Sequence, residues 1–242
     1  MVISKYEIPA SIENDFKFIF ISDIHNADIE PILKTIQEHD AEAVLVGGDF
    51  IHDSDYYEKG LEVLARSAKM KPTFVSLGNH ERKFKGELLP LILKTGVTLL
   101  DNTATTFHGI HIGGLSSGYD WKEEQANTKT TPTPNLKWLS EFAKLRGYKL
   151  LLSHHPEYFK PYISALPIDL TLSGHAHGGQ WRFFGRGVFA PGQGLFPKYT
   201  SGIYKGEHGK LLVGRGLGDS HKFPPRIFNR TEVIIVTLKA ER

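Results

Sequence analysis

Apolar and polar positions along the first hundred residues follow a strand-then-helix rhythm. Phe16 to Ile21 is a continuous β-prone apolar run, the pattern of a strand covered on both faces. Beyond a polar turn, Ile29, Leu33 and Ile36 recur at helical spacing with Ile32 beside them, and Pro31 suits a first helical turn. Glu42 to Val46 predicts a second strand, ending at Gly47-Gly48. Tyr57, Leu61, Leu64 and Ala68 make one face of a second helix, and Thr73 to Leu77 predicts a third strand ending at Gly78. Strands joined by crossover helices imply a parallel sheet with right-handed connections. In such sheets ligands bind at the carboxyl ends of the strands.

From Val97 the texture changes. Short strands are predicted at 97–100, 104–107 and 110–114, with Gly and His in the turns, suggesting a more antiparallel half. Residues 118–135 are polar and rich in Thr and Pro, a long surface loop leading into a short helix at 135–146. Lys149–Leu152 and Asp169–Leu172 are two more strands, each running into a Ser. Residues 178–218 are rich in Gly, and Glu232–Leu238 alternates enough to be a closing strand. No repeat or linker divides the chain. The expectation is one domain spanning 1–242, an α/β fold built as a two-sheet sandwich.

Composition narrows the function classes. The chain has 242 residues, and its 29 Lys and Arg against 27 Asp and Glu leave a formal charge of only +2. That balance, with no charge block, argues against a general affinity for nucleic acid or an anionic membrane. There is no Cys, which excludes disulfides, thiolate metal sites and Cys nucleophiles. The longest apolar runs, such as Phe18–Ile21, are far too short to cross a bilayer, and the N-terminus lacks a charged region followed by an apolar one. A soluble cytoplasmic protein is expected. The anomaly is 12 His beside only 2 Met.

Those histidines gather where strands are predicted to end. Ser22-Asp23-Ile24-His25, Gly47-Gly48-Asp49, Gly78-Asn79-His80-Glu81, Ser153-His154-His155-Pro156 and Gly174-His175-Ala176-His177 each follow a predicted strand. Asp-x-His and His-x-His put alternate residues on one side of an extended segment, so each pair can face one point. A Gly beside them allows close backbone approach. The donors are oxygen and nitrogen without sulfur, a set suited to Mn, Fe or Zn. Alone, Asp23 or Asp49 is an ordinary turn residue, and Asn79 after Gly78 an ordinary left-handed one. Their joint occurrence at strand ends favours a metal site.

The five blocks, in this order, resemble the calcineurin-like metallophosphoesterase superfamily. Gly174-His-Ala-His-Gly-Gly-Gln, with Gly216-Leu-Gly, Pro225-Arg226 and a final strand, is similar to its bacterial single-domain phosphohydrolases. The resemblance implies a four-layer α/β/β/α sandwich with two mixed sheets. It implies that Asp23, His25 and His177 bind one metal ion, that Asn79, His154 and His175 bind a second, and that Asp49 bridges both. It makes His80 a catalytic residue outside the ligand set and leaves His155 at a variable position. The activity implied is hydrolysis of a small-molecule phosphoester by a metal-bridging hydroxide. Two divalent ions clamp the attacking and leaving oxygens and bring a water's pKa down to roughly 7. His80 then protonates the leaving group or neutralises phosphoryl charge.

Other readings follow from the remaining residues. A diester is preferred over a monoester because no cluster of Arg stands ready for a dianion. The resemblance also allows a diphosphatase acting on a nucleotide-linked lipid such as UDP-2,3-diacylglucosamine, and more remotely a metal-bearing binding protein without catalysis. His52 and Asp53 are candidates to orient the ligands. Arg82, Lys83 and Lys85 either attract a phosphate or form a solvated helix start. His39, His108, His111, His208 and His221 read as surface or turn residues. Trp181, Phe183, Phe184, Phe196 and Tyr199 either pack the second sheet, the preferred reading, or line a rim beside the metals. No dinucleotide or P-loop motif occurs, and no specific nucleic-acid partner is expected.

Overall fold

Two six-stranded mixed sheets face each other, with helices on their outer faces. The computed structural model describes residues 1–52, 57–83, 85–118, 131–218 and 225–241. The first sheet has the order β1-β16-β2-β3-β4-β5, with β1 Val2–Ala10, β2 Phe16–Ile21, β3 Ala43–Val46, β4 Thr73–Ser76, β5 Thr98–Leu100 and β16 Glu232–Ala240. The second runs β14-β15-β9-β8-β7-β6, with β6 Thr103–Phe107, β7 Ile110–Leu115, β8 Lys149–Ser153, β9 Leu170–Ser173, β14 Gly202–Lys205 and β15 Lys210–Val213. Between β9 and β14 lie two small hairpins, β10 Arg182–Phe183 with β11 Arg186–Gly187, and β12 Phe189–Ala190 with β13 Gly194–Leu195.

Strand periodicity explains the layers. On β2, Phe16, Phe18 and Phe20 point one way, into a core shared with Leu150, Leu152, Leu172 and Leu212 of the facing sheet. Ile19 and Ile21 point the other way, onto α1 (Glu30–Glu38), α2 (Glu58–Met70) and α4 (Lys85–Lys94), where Ile32, Ile36, Val63, Leu64, Leu88 and Ile92 meet them. Short α3 (Asn79–Lys83) follows β4 directly. Leu151, Leu211 and Val213 face outward from the second sheet, against Leu139 and Phe142 of α5 (Leu136–Ala143) and the helical turns at Tyr158 and Phe159. The expected four-layer sandwich is the observed one.

Two expectations change. The second sheet is not mainly antiparallel: β15, β9, β8 and β7 pair in parallel, and only its edge strands β14 and β6 are antiparallel. The connections between these parallel strands are long enough to cross over, which short strands with Gly turns did not suggest. The second change is β1, which the sequence pattern did not single out. It is an edge strand, paired only with β16 and in parallel from Val2↔Glu232 to Ala10↔Ala240, an edge position that tolerates Pro9. Its partner lies at the far end of the chain, so local pattern carries little of its signal. No helix among the described residues is long and apolar enough to cross a membrane.

Candidate metal centre

The chain leaves β2, β3, β4, β8 and β9 at one rim of the sandwich, and the candidate donors lie just beyond these strand ends. They do not sit on extended backbone as alternation suggests. Asp23, His25, Asp49, His175 and His177 all have positive φ, between 45° and 62°. Each is a left-handed kink that turns a side chain back toward its neighbours, and non-glycine residues adopt it at a cost of about 1–2 kcal/mol. Interlocking backbone hydrogen bonds hold the kinks. Asp23 N–H donates to Gly48 O (3.0 Å), His25 N–H to Asp49 O (3.3 Å), and Gly174 N–H to His154 O (3.1 Å). Gly218 N–H donates to Asp23 O at 2.7 Å, so the Gly216-Leu-Gly segment pins the first loop. Gly78 and Gly174 are glycine because a Cβ there would press on the carboxylates of Asp49 and Asp23.

The expected ligands converge in two groups: donor atoms of Asp23, His25 and His177 lie within 4.8 Å of one another, and so do those of Asp49, His154 and His175. Two further groups at the same spacing among the described residues are His25, Asp49 and His80, and His155, Glu157 and His175. Asp49 lies between the groups, its Oδ2 3.0 Å from His154 Nε2 and 4.0 Å from His25 Nε2. His154 Nε2 is also 4.0 Å from Asp23 Oδ1, and His177 Nε2 is 3.6 Å from the same oxygen. His25 and His154 turn Nδ1 to the carbonyls of Ile51 (3.0 Å) and Gly47 (2.7 Å), which leaves Nε2 directed at the carboxylates. Asn79 is buried at the start of α3, and its Oδ1, like Nε2 of His25 and of His175, has no hydrogen-bond partner. Buried nitrogen and oxygen donors left aiming inward fit metal cations.

Electrostatics supports the same fit for His25, His175 and Asp49. Burial pushes the His25 imidazole well below its usual value, helped by His80, and burial does the same to His175, helped by His155. Neutral imidazoles are the metal-binding form. Burial alone would raise the Asp49 carboxyl, but His154 and then His80 outweigh it and hold the group well below the carboxylate range. Burial would lower His154, yet the Asp49 carboxylate beside it lifts it to about 10, so a cation bound there would displace the proton that His154 shares with Asp49.

His80 is half-buried over this centre. Its N–H donates to Asp49 Oδ1 (3.0 Å), its Nδ1 meets the carbonyl of His52, and its ring lies 4.7 Å from that of His25. His52 therefore contributes its backbone to the site, with its ring stacked 6.2 Å from His80. Asp53, His221 and residues 119–130 of the expected surface loop lie outside the described residues. His155 is fully buried, 2.7 Å from Ser117 Oγ through Nε2, and packs against His154 and His175. His39, His108 and His111 lie elsewhere, bonded to Thr35 O, Glu42 and Thr106, and His208 is exposed in a turn. Arg82 pairs with Asp101 at 3.8 Å.

Sequence reasoning gave no role to two carboxylates. Glu81 is buried and accepts backbone N–H bonds from Asp49 (2.9 Å), Ile51 (3.1 Å) and Gly78 (2.8 Å), tying the β3 and β4 loops together. Burial and then Asp49 raise its carboxyl to about 7. Glu157 sits 3.4 Å from His155 Nδ1 and 3.8 Å from His175 Nε2, and accepts from Thr131 Oγ1 at 2.7 Å. Burial would raise it, but His155 and His175 outweigh that and bring it to about 2. The available signal was proximity alone: Glu81 follows Asn79-His80, and Glu157 follows His154-His155-Pro156.

The aromatic residues after His177 divide. Tyr199 is buried in the outer core of the second sheet, as expected. Phe183, Phe184 and Phe196 do not pack there but are exposed, because they lie on the short hairpins outside the sheet.

Known proteins place this centre in context. The uncharacterized metallophosphoesterase YkuE of Bacillus subtilis (strain 168) is 29% identical over 240 residues, covering 93% of this chain and 79% of that protein. The phosphodiesterase YaeI of Escherichia coli (strain K12) is 28% identical, covering 92% of this chain and 82% of its own. Among solved structures, Haemophilus influenzae NAD nucleotidase superposes with a TM-score of 0.55 at 15% identity, over 85% of this chain and 46% of that one. The protein TT1561 of Thermus thermophilus gives 0.51 at 14% identity, over 84% and 90%. These two likenesses speak to the fold. The family model described as calcineurin-like phosphoesterase matches residues 16–179, which hold every one of the converging strand ends, and the chain belongs to that family of phosphoester hydrolases.

Proposed function

We propose that this metallophosphoesterase is a dinuclear phosphodiesterase. In this reading Asp23, His25 and His177 hold one cation, Asn79, His154 and His175 the other, and Asp49 is shared. The observation that carries it is the position of Asp49, whose Oδ2 faces a histidine of each group at 3.0 and 4.0 Å. A carboxylate can offer both oxygens to two cations, which a neutral Asn or His cannot. Bound there, divalent ions would supply Lewis-acid stabilisation of phosphoryl oxygens and acidify water.

The chain's own residues do the rest. The left-handed loops hold the donors before any substrate arrives, so little reorganisation accompanies reaction. His80, fixed through Nδ1 to the His52 carbonyl, presents Nε2 and donates its proton to the departing alkoxide. Preference for a diester is supported by the phosphodiesterase named among the relatives and by Arg82 being engaged with Asp101 rather than offered to a dianion. The Gly174–Gln180 run favours the bacterial single-domain branch. Pairing of β1 with β16 along their length supports reading 1–242 as one catalytic unit.

The test is a metal-reconstituted panel with Mn, Fe and Zn: bis(p-nitrophenyl) phosphate, p-nitrophenyl phosphate and a UDP-linked diacyl sugar. Diester turnover above the other two is expected. Higher turnover of the nucleotide-linked lipid would replace the diesterase reading, and no turnover with any metal would remove it. His80→Ala should lower turnover by ~10²–10⁴-fold with metal content unchanged; loss of metal in step with activity would make His80 a ligand.

A further inference from the structure

Three phenylalanines are held outward, in solvent, by the loops that carry them. Phe184, Phe196 and Phe228 have φ of 49°, 53° and 53°, and are 106%, 81% and 80% exposed. The left-handed region favours Gly or Asn, and an exposed ring gains nothing from burial. Phe184 owes its φ to the two-residue β10–β11 turn that it forms with Gly185 (φ 80°), yet none of the three rings is buried in return. They form one surface. The ring of Phe228 packs edge-on against Phe183 at 5.9 Å, Arg182 N–H donates to Ile227 O at 3.0 Å, and Phe196 N–H donates to Val188 O at 2.8 Å. Phe196 and Lys198 line one hollow with Gly185 and Arg186, beside the β10–β11 turn that carries Phe184. Leu195 adds a further exposed apolar side chain.

The segments are tied down. The Arg182 guanidinium donates to Gly178 O (2.7 Å), Thr200 Oγ1 (3.3 Å) and Gly185 O, and the Gln193 amide exchanges two bonds with the Tyr199 backbone at 2.8 and 2.9 Å. Their charge is of one sign. Residues 170–206 and 225–231 contain no Asp or Glu. Arg182 and Arg226 turn their guanidinium groups inward to backbone carbonyls, which leaves Arg186, Lys198, Lys205 and Arg230 as the remaining basic side chains of these segments. The whole-chain charge of +2 hides this segregation. Protruding aromatic tips among basic side chains suit an anionic lipid interface, where rings enter the acyl boundary and Arg and Lys meet phosphates.

We propose that the surface formed by Phe183, Phe184, Leu195, Phe196 and Phe228 docks on the anionic face of a lipid bilayer. The contact lies next to the metal centre, since Asn229, adjacent to Phe228, donates to His177 O (2.7 Å) and Gln180 O (3.1 Å). Docking holds the His177 side of the site at the headgroup layer. It is independent of which phosphoester the site hydrolyses.

The test is flotation of the full chain with vesicles of phosphatidylcholine alone and of equimolar phosphatidylcholine and phosphatidylglycerol. Flotation with the mixed vesicles, weakened by added salt, is expected. The triple variant Phe184→Asn, Phe196→Asn, Phe228→Asn places a residue suited to positive φ at each site. It should keep its melting temperature and its turnover of a soluble diester while vesicle affinity drops at least roughly tenfold. Arg186→Glu with Lys198→Glu should reduce binding to the mixed vesicles only. No flotation of the parent protein, or equal flotation of the triple variant, overturns the proposal. So does a dimer on size-exclusion chromatography that the triple variant abolishes while vesicles bind neither form, because the surface then belongs to a second copy.

Discussion

The metal-binding loops and the aromatic surface beside them share a rare backbone conformation and differ in what surrounds it. Asp23, His25, Asp49, His175 and His177 take positive φ in the interior, and Phe184, Phe196 and Phe228 take it in solvent. In the interior each kink sits in a mesh of hydrogen bonds, such as Asp49 N–H to Glu81 and His175 N–H to Asp23 Oδ1 at 2.9 Å. That mesh offsets the backbone cost and leaves the donors preorganised. At the outer surface the rings make few contacts that could offset it. Positive φ by itself is ordinary turn geometry, as exposed His108 (φ 49°) in the β6–β7 hairpin shows; it is the unburied rings that point to something outside the chain.

Breaking the interior mesh should have the largest effects. Asp49→Asn should weaken both cations together, by more than ~100-fold each, as read by metal content after dialysis against a chelator. Retention of one ion at full occupancy would contradict a shared carboxylate. Next, Glu81→Gln keeps the shape but turns an amide donor toward one of three backbone N–H groups. A loss of about 1–3 kcal/mol in denaturant unfolding of the metal-free protein is expected, with weaker metal binding. Unchanged unfolding would mean that the tie between the β3 and β4 loops is dispensable.

Glu157→Gln acts on one group only. It should lower affinity for the cation held by His175 by roughly tenfold and leave the Asp23 group at its parent value, measured by stepwise competition with a chelator. Equal weakening of both would assign Glu157 to general packing. The smallest effect is expected at the surface. Phe184→Asn alone should leave thermal unfolding unchanged or raise stability by up to about 1 kcal/mol. A clear drop in melting temperature would show that the ring contributes to the fold and would erase the contrast between the two regions.

The legible part of the molecule is local in origin. The apolar run Phe16–Ile21 and the donors that follow it are visible because strand burial and strand end are both written in consecutive residues. The same holds for Val46 before Gly47-Gly48-Asp49 and for Ser173 before Gly174-His175. The illegible part is long-range. Nothing near Val2–Ala10 announces a partner at Glu232–Ala240. Nothing in Glu81 or Glu157 distinguishes them from surface acids until backbone N–H groups and imidazoles are seen around them. Phe196 and Tyr199 are three positions apart, yet one is exposed and one buried, because only Tyr199 reaches back to the second sheet.

By itself the sequence determined the α/β class, the order of the strands that carry chemistry, and the kinds of donor at their ends. Periodicity and side-chain type suffice for these, since each depends on neighbours along the chain. Only the tertiary structure decided that Asp49 lies between two groups, that the donors reach one another through left-handed kinks, and that three phenylalanines face outward. Those outcomes depend on which distant strands pair and in what register, and that is settled by burial across both sheets at once.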